Sequence, residues 1–269
     1  MAYDVNALAL HKVMRISNFH TGTGAMLWSL TQVKDFSMNI TMENEVVISA
    51  ADGTPIMKFE NGKTCKATGT NALFDLGLLA AQNGVTKDLS SAASFKAYAN
   101  EVVVVPSAGT ITLKHTPAAA AAAGIPFVYK LRGDDGHSTS YAYGATASAS
   151  AFTFTGTTLT PPTGLEPGTR LLVPYYYTAD DNDEAVRVAA TGKDFTTPGR
   201  MVVECLAHDP CSPSSKIYAM LIFPNAKLSG AYDIGFGSDS GHPFEIEAMQ
   251  DYCGAEKLLY ELIVPEDAA

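Results

Sequence analysis

This chain lacks any apolar run near the ~20 residues that a membrane-spanning helix requires, so no such helix is expected. Cysteine is scarce: Cys65, Cys205, Cys211 and Cys253 are spread over 269 residues, too thin for a disulfide scaffold, and free thiols are the expectation. There is no Cys-x-x-Cys pair, no nucleophile elbow, no metal-binding helix signature and no phosphate loop, which removes the usual signatures of an enzyme. Basic residues are not in excess. The net charge is −10, and residues 197–269 hold 11 acids against 4 bases. That balance argues against tight nucleic-acid binding, which needs clustered Lys and Arg on phosphate, but not against a surface that nucleic acid slides past. The first residues lack a basic start, an apolar core and a small-residue cleavage site. No signal peptide is therefore expected, and folding in a cytoplasm is.

What is present is an ordered globular composition, 46% hydrophobic and 17% charged. The clearest helical stretch is residues 70–84, TNALFDLGLLAAQNG. Thr70 or Asn71 can cap it, Asp75 places a carboxylate near its positive end, and Leu73, Leu76, Leu79 and Ala80 recur at helical spacing. Asn83-Gly84 ends it. Nearly everything else regular reads as strand. Residues 1–24 read as an arm with one strand at most. From Asp35 to Met42 alternation is strict, with Phe36, Met38, Ile40 and Met42 on the side expected to bury and Asp35, Ser37, Asn39 and Thr41 opposite. Residues 46–49 and 55–60 read as strands around an Asp52-Gly53 turn, and residues 64–69 as a link into the helix.

Residues 86–100 read as a loop or a second weak helix. Beyond them come short strands at 102–105, 111–115, 127–131, 141–143, 151–154, 171–177 and 185–189, set apart by Gly, Pro and Asp clusters as in a small β-sandwich. The alanine run 118–123 reads as a helical turn or a loop, and 145–150 as a hairpin tip. Strands return at 201–208, 216–223, 227–236, 244–252 and 258–264. In 244–252, Phe244, Ile246, Ala248 and Tyr252 share one face, and Glu245, Glu247, Met249 and Asp251 the other. The expected plan is three segments: 1–100 and 197–269 pair into one sheet system around the helix, and 101–196 is an insertion with its own core.

Several clusters have a chemical reading beside a plainer one. Cys205, His208 and Cys211, with His242 and Cys253, could hold zinc, but read more simply as small buried hydrophobes and turn residues. His115, His137 and His242 with Asp134, Asp135 or Asp239 could exchange protons, yet none sits in a catalytic motif. Gly-Asp-Asp-Gly at 133–136 is a hairpin turn. ADDNDEA at 179–185 lacks the glycine and distal glutamate of a calcium loop. Tyr175 and Tyr177 share a face at most and are expected in a core. GFGSDSG at 235–241 reads as a mobile loop. No cofactor is expected.

The alternating strand with its Asp52-Gly53 hairpin, TGTNALFDLGLLAAQNG, and the late KIYAMLIFPNAKLSG and HPFEIEAMQDYCG strands together resemble the major tail tube proteins of long-tailed bacteriophages. The resemblance covers residues 25–84 and 200–264. The stretch EPGTRLLVPYYYTA is similar to β-rich insertions in some virion proteins. The resemblance implies a mainly β fold, an antiparallel β-sandwich or barrel with one flanking helix, plus an inserted small β-sandwich. It implies a structural virion protein, assembled in the host bacterial cytoplasm, that forms stacked hexameric rings around the path of DNA ejection. The implied partners are copies of itself and tail components such as sheath, terminator or baseplate proteins, with DNA in transit and no membrane. Asp35, Ser37, Asn39, Thr41, Glu245, Glu247 and Asp251 are then expected to face the bore. A head decoration or adhesin-like module, with 101–196 as receptor- or sugar-binding part, is the other class. A hydrolase is disfavoured because no catalytic set assembles.

Overall fold

The structure, a computed structural model, describes residues 8–42, 45–60, 62–210, 212–237 and 241–264. In chain order, β1 (Ala9–Phe19), β2 (Met26–Leu30) and β3 (Val33–Met42) precede a hairpin of β4 (Glu45–Ser49) and β5 (Pro55–Glu60). Then come β6 (Lys63–Asn71) and the helix α1 (Leu76–Gln82). The middle of the chain forms β7 (Asp88–Leu89), β8 (Phe95–Val104), β9 (Ile111–Thr112), β10 (Phe127–Leu131), β11 (His137–Tyr143), β12 (Ala151–Thr155), β13 (Thr158–Thr160), β14 (Arg170–Ala179) and β15 (Val186–Arg187). The last strands are β16 (Gly199–Asp209), β17 (Ser212–Leu228), β18 (His242–Ala248) and β19 (Glu261–Ile263). The protein is mainly β with antiparallel sheets and one α-helix among the described residues, the fold class that the sequence predicts.

Two compact units divide the chain. One is built from residues up to Lys87 and from Val188 onward, the other from Asp88–Arg187. In the first, one sheet runs β2-β1-β16-β17-β18-β6-β3, with β19 also on β17, and curls into a nearly closed barrel. Inward residues of successive strands fill it: Ile16, Leu30, Met201, Val203, Phe223, Leu228, Phe244 and Ile246 are all buried. Close packing dictates one small residue. Phe244 pairs across strands with Gly69, and a methyl group there would lie 2.7 Å from the phenyl ring. In the second unit the order is β8-β14-β10-β11-β12-β13-β9 around Phe152, Leu159, Leu171, Val173 and Tyr175. The Tyr175 hydroxyl donates to the Glu101 carboxylate and accepts the His115 amide at 3.1 Å. Burial, and then that carboxylate, push the phenol well above its usual range.

Several expectations are corrected. The helix begins at Leu76 rather than near residue 70, because the Asp75 carboxylate caps the Leu78 amide at 2.8 Å while Asn71 still belongs to β6. Its buried face is accordingly Leu78, Ala80 and Gln82, and Leu73 lies outside it and exposed. It does end at Asn83, with Gly84 at φ +70. Residues 64–69 are not a link but the middle of β6, and the 86–100 stretch enters β8, which pairs along its whole length with β14. β1 is no loose arm: it pairs with β16 from Ala9 to Phe19. Residues 145–150 join strands that run parallel, so they are not a hairpin tip. β17 ends at Leu228 and β18 at Ala248, both short of the expected limits. Along β3 only the start buries. Val33 is buried and Phe36 packs on the core, but Met38 and Ile40 remain 38% and 41% exposed.

The helix is pinned to the sheet through His242. Its Nδ1 accepts the Asp75 amide at 3.3 Å, so the proton lies on Nε2, which donates to Gln82 Oε1 at 2.8 Å. Gln82 passes the chain on to the Pro243 carbonyl at 2.9 Å. Phe74 stacks on the imidazole at 5.0 Å. Burial holds the His242 pKa below its ordinary 6.5, outweighing the nearby Asp75 charge. The unfolded chain thus binds a proton that the folded chain refuses. Stability is full above 6.5 and falls as pH drops below it toward the folded value. The expected result by NMR is a His242 ring signal that titrates below 6.5, with the unfolding midpoint declining over the same interval. A ring that titrates at or above 6.5 contradicts this account.

Candidate functional site

The residues expected at a bore fall on β3, on β18 and just past the end of β18, and β6 and the end of β17 are neighbours of these strands in the same sheet. Because side chains alternate, the residues between the buried ones share the opposite face. On β6, Cys65, Ala67 and Gly69 point to the core, leaving Thr64, Lys66, Thr68 and Thr70 on the far side. Register then aligns cross-strand rows. Ser37 stands beside Thr68, Thr68 beside Glu245, and the Ser229 amide donates to the Glu245 carbonyl at 2.8 Å. The next row runs Asn39, Lys66, Glu247 and Lys227 across all four strands. A third pairs Thr41 with Thr64.

Side-chain bonds tie the rows together. The hydroxyls of Ser37 and Thr68 lie 3.0 Å apart, as do those of Thr41 and Thr64. The Lys66 ammonium sits between two carboxylates, donating to Glu245 at 2.9 Å and to Glu247 at 3.3 Å. The bond to Glu245, then that to Glu247, holds Lys66 above the usual lysine range. Lys227 approaches the other Glu247 oxygen at 3.5 Å. Two acids and two bases make this face locally neutral and hydrogen-bonded.

Five expected residues, Ser37, Asn39, Thr41, Glu245 and Glu247, share this ladder. Asp35 and Asp251 do not. The β3 register slips between Lys34 and Ser37, so Asp35 and Phe36 together oppose Gly69 in a bulge, and Asp35 takes φ 56. Asp251 lies beyond the end of β18, where its carboxylate accepts the Gly254 amide at 3.2 Å in its own turn. Strand parity reaches neither. Lys66, Lys227, Thr64 and Thr68 escape the sequence reading, although the alternation in TCKATGT marks β6 as a strand.

The other clusters remain apart. Cys205 lies on β16, Cys253 is exposed in a turn, His208 meets His11 edge-on, and Cys211 is outside the described residues. Cys65, Cys205 and Cys253 are free thiols. Among the described residues no group of His, Cys, Asp and Glu gathers as metal ligands. His115 pairs with Asp183 at 3.1 Å and stacks on Tyr177, and Asp135 pairs with Arg170 at 2.6 Å. Asp239 lies outside the described residues, as do other parts of 235–241.

The sequence profile of the YomU/Tube protein family matches residues 8–257, which include every strand of the barrel except β19 and every row of the ladder. The chain belongs to the YomU/Tube protein family. It is thereby a phage tube-like structural protein, and the coarser part of the expectation from resemblance holds. No individually curated protein matches it.

The ladder predicts a charge-balance effect. Exposed pairs of this kind contribute little to stability, so Lys66→Met should shift the denaturant midpoint only slightly. Lys66→Glu adds a third carboxylate beside Glu245 and Glu247, and should lower the midpoint at low salt with recovery as salt is added. A loss indifferent to salt contradicts the neutral-ladder description.

Proposed function

We propose that this protein is a subunit of a phage tail tube: copies assemble into hexameric rings, the rings stack, and the β3-β6-β18-β17 ladder lines the bore through which DNA passes. The observation that carries this reading is the two-sidedness of those strands within a member of a tube family. On β6, β18 and the end of β17 one face packs into the barrel core, and the other face joins β3 in a locally neutral, hydrogen-bonded polar surface. A wall of that kind suits a polyanion in transit. Unpaired lysines would hold phosphate and slow it, and a dense ring of bare carboxylates would repel itself when repeated around a narrow channel. The open edge of β3 supports the same reading. Among the described strands β3 pairs only with β6, so its other edge is free to join the sheet of a neighbouring copy.

Negative-stain electron microscopy of the purified protein tests assembly directly. Rings or tubes are expected, and dispersed single particles at high concentration would falsify the proposal. The bore assignment has its own test. Glu245→Lys with Glu247→Lys, beside Lys66 and Lys227, places four lysines on this face. Particles carrying that pair should eject DNA more slowly, with the delay shrinking as salt rises. Normal ejection at low salt removes the ladder from the bore.

A further inference from the structure

The strands of the second unit end on two very different edges. One is β9, only Ile111–Thr112. The other is β8, ten residues from Phe95 to Val104, which pairs along its whole length with β14 and with no other described strand. The alternation of ladder bonds says which backbone groups remain. The Val105 amide donates to the Thr169 carbonyl, and the Gly168 amide to the Val105 carbonyl, both at 2.9 Å, so Val105 bonds toward β14. Every second residue back from it, Val103 to Phe95, does the same. Pro174, which has no N–H to give, stands opposite Asn100, at one of the positions between. The amides and carbonyls of Lys96, Tyr98, Asn100, Val102 and Val104 therefore point to the free edge, and among the described residues no loop backbone bonds to them. Long edges are normally blunted by proline, a bulge or a charge. β8 has no proline, and its register with β14 runs without a shift. Its two charges are held elsewhere. The Glu101 carboxylate accepts the Tyr175 hydroxyl and the Lys114 amide, and the Lys96 ammonium lies 4.4 Å over the Tyr176 ring. Beside the edge, on the face away from the core, stand Tyr98, Val102 and Val104, at 57%, 48% and 56% exposure.

We infer that β8 of one chain pairs antiparallel with β8 of a second copy, about a two-fold axis at Asn100, so that the two sheets become one. Bonding pattern and side chains select this partner. β9 is too short to answer a ten-residue edge, so among the edges of the second unit only β8 itself can. Centring the axis on Asn100 sets Lys96 opposite Val104, Tyr98 opposite Val102, and Asn100 opposite its own counterpart. In each of these pairs both residues direct N–H and C=O at the partner, so every pair exchanges two bonds. All of them lie on the outer face, and Tyr98 meets Val102 twice, an aromatic–β-branched contact that suits a sheet. On the inner face Ala97 meets Val103 and Ala99 meets Glu101, so no like charges oppose. Centring on Ala99 instead leaves fewer bonded pairs and sets Tyr98 against Asn100. A two-fold contact closes at two chains. The rings and stacks proposed above supply no such axis, so the pairing joins chains that do not share a ring, and it stands or falls apart from that proposal.

The test is disulfide trapping in full-length protein carrying Cys211→Ser and Cys253→Ser. An Asn100→Cys thiol meets its own counterpart on the axis, at the roughly 5.5 Å Cα separation of a bonded pair, which a disulfide can span. That variant alone should give a covalent dimer on a non-reducing gel. Val104→Cys alone should not, because Val104 faces Lys96 of the other copy; mixed with Lys96→Cys it should. Val102→Pro added to Asn100→Cys removes an N–H that only the second copy uses. It should lower the dimer yield about tenfold or more while the melting midpoint holds. No dimer from Asn100→Cys, equal yields from Asn100→Cys and Val104→Cys alone, or a yield indifferent to Val102→Pro in folded protein overturns the inference. The pattern among the cysteine variants decides even where the proline variant fails to fold. Coupling of Asn100→Cys to Asn39→Cys on β3, and not to itself, gives the edge to the barrel of another copy and overturns the inference too. Microscopy of the same samples reports on the rings separately. Tubes without a cross-link leave the assembly standing, and cross-linked dimers without tubes leave the β8 pairing standing.

Discussion

The pairing of β17 with β16 is the constraint on which the rest of the barrel depends. β16 lies along β17 from Gly199 opposite Ala226 to Asp209 opposite Ser212. The other edge of β17 takes β19 near Leu221 and β18 near Lys227. Through β16 it holds β1 and β2, and through β18 it holds β6 and β3. Buried backbone groups must find partners, so without β17 the sheet would separate into two open pieces with their inner faces wet. The partners are also far apart in sequence: Ala9 meets His208 and Asn71 meets His242. Such non-local pairing makes folding slow, because the chain must be closed before the contacts reward it. The segment Asp88–Arg187 lies between these partners in sequence and has a core of its own, with Phe152, Leu159 and Tyr175 at its centre.

The same sheet explains why carboxylates can stand on the polar face without penalty. Glu245 and Glu247 are two residues apart on one strand, so they point the same way and repel. Lys66 on the neighbouring strand reaches both, and Lys227 reaches Glu247 from the other side. The expected face of small polar and acidic residues is therefore a ladder in which lysines balance the carboxylates. The polar rows and the buried rows are products of one alternation. Moving β6 by a single residue would bring Lys66 into the core and Cys65 and Ala67 to the surface.

Much of the architecture was legible because alternation is a local signal. It marked β3, β18, and the hairpin around Asp52-Gly53, whose glycine has φ +86. It also placed five ladder residues on their shared face. Helix boundaries were less legible, since Thr70, Asn71 and Asp75 are all good caps and only tertiary context selects Asp75. β6 was hidden because threonine, lysine and glycine look like a linker, although its glycine is small to admit Phe244. The bulge at Asp35 could not be read at all. It is a register slip between strands, and the alternation of β3 itself continues through it. Lys66 and Lys227 were missed for a related reason: their role exists only across strands that lie far apart in sequence.

The exposed apolar residues complete the physical picture. A chain that finished its core alone would cover β3 along its length. Here exposure rises along the strand through Met38, Ile40 and Met42, at 38%, 41% and 52%. It continues into the hairpin at Val47 and Ile48. Scattered apolar residues on a surface need no explanation, but a run of them along one strand and onto an unsupported hairpin does. Removing that surface from water is favourable, and among the described residues one edge of β3 and the first half of one edge of β1 lack a strand partner. The charged ladder is paired within one chain, whereas β3 and the hairpin keep apolar surface in contact with water. Folding of the described residues of a single chain thus leaves part of the hydrophobic term unused.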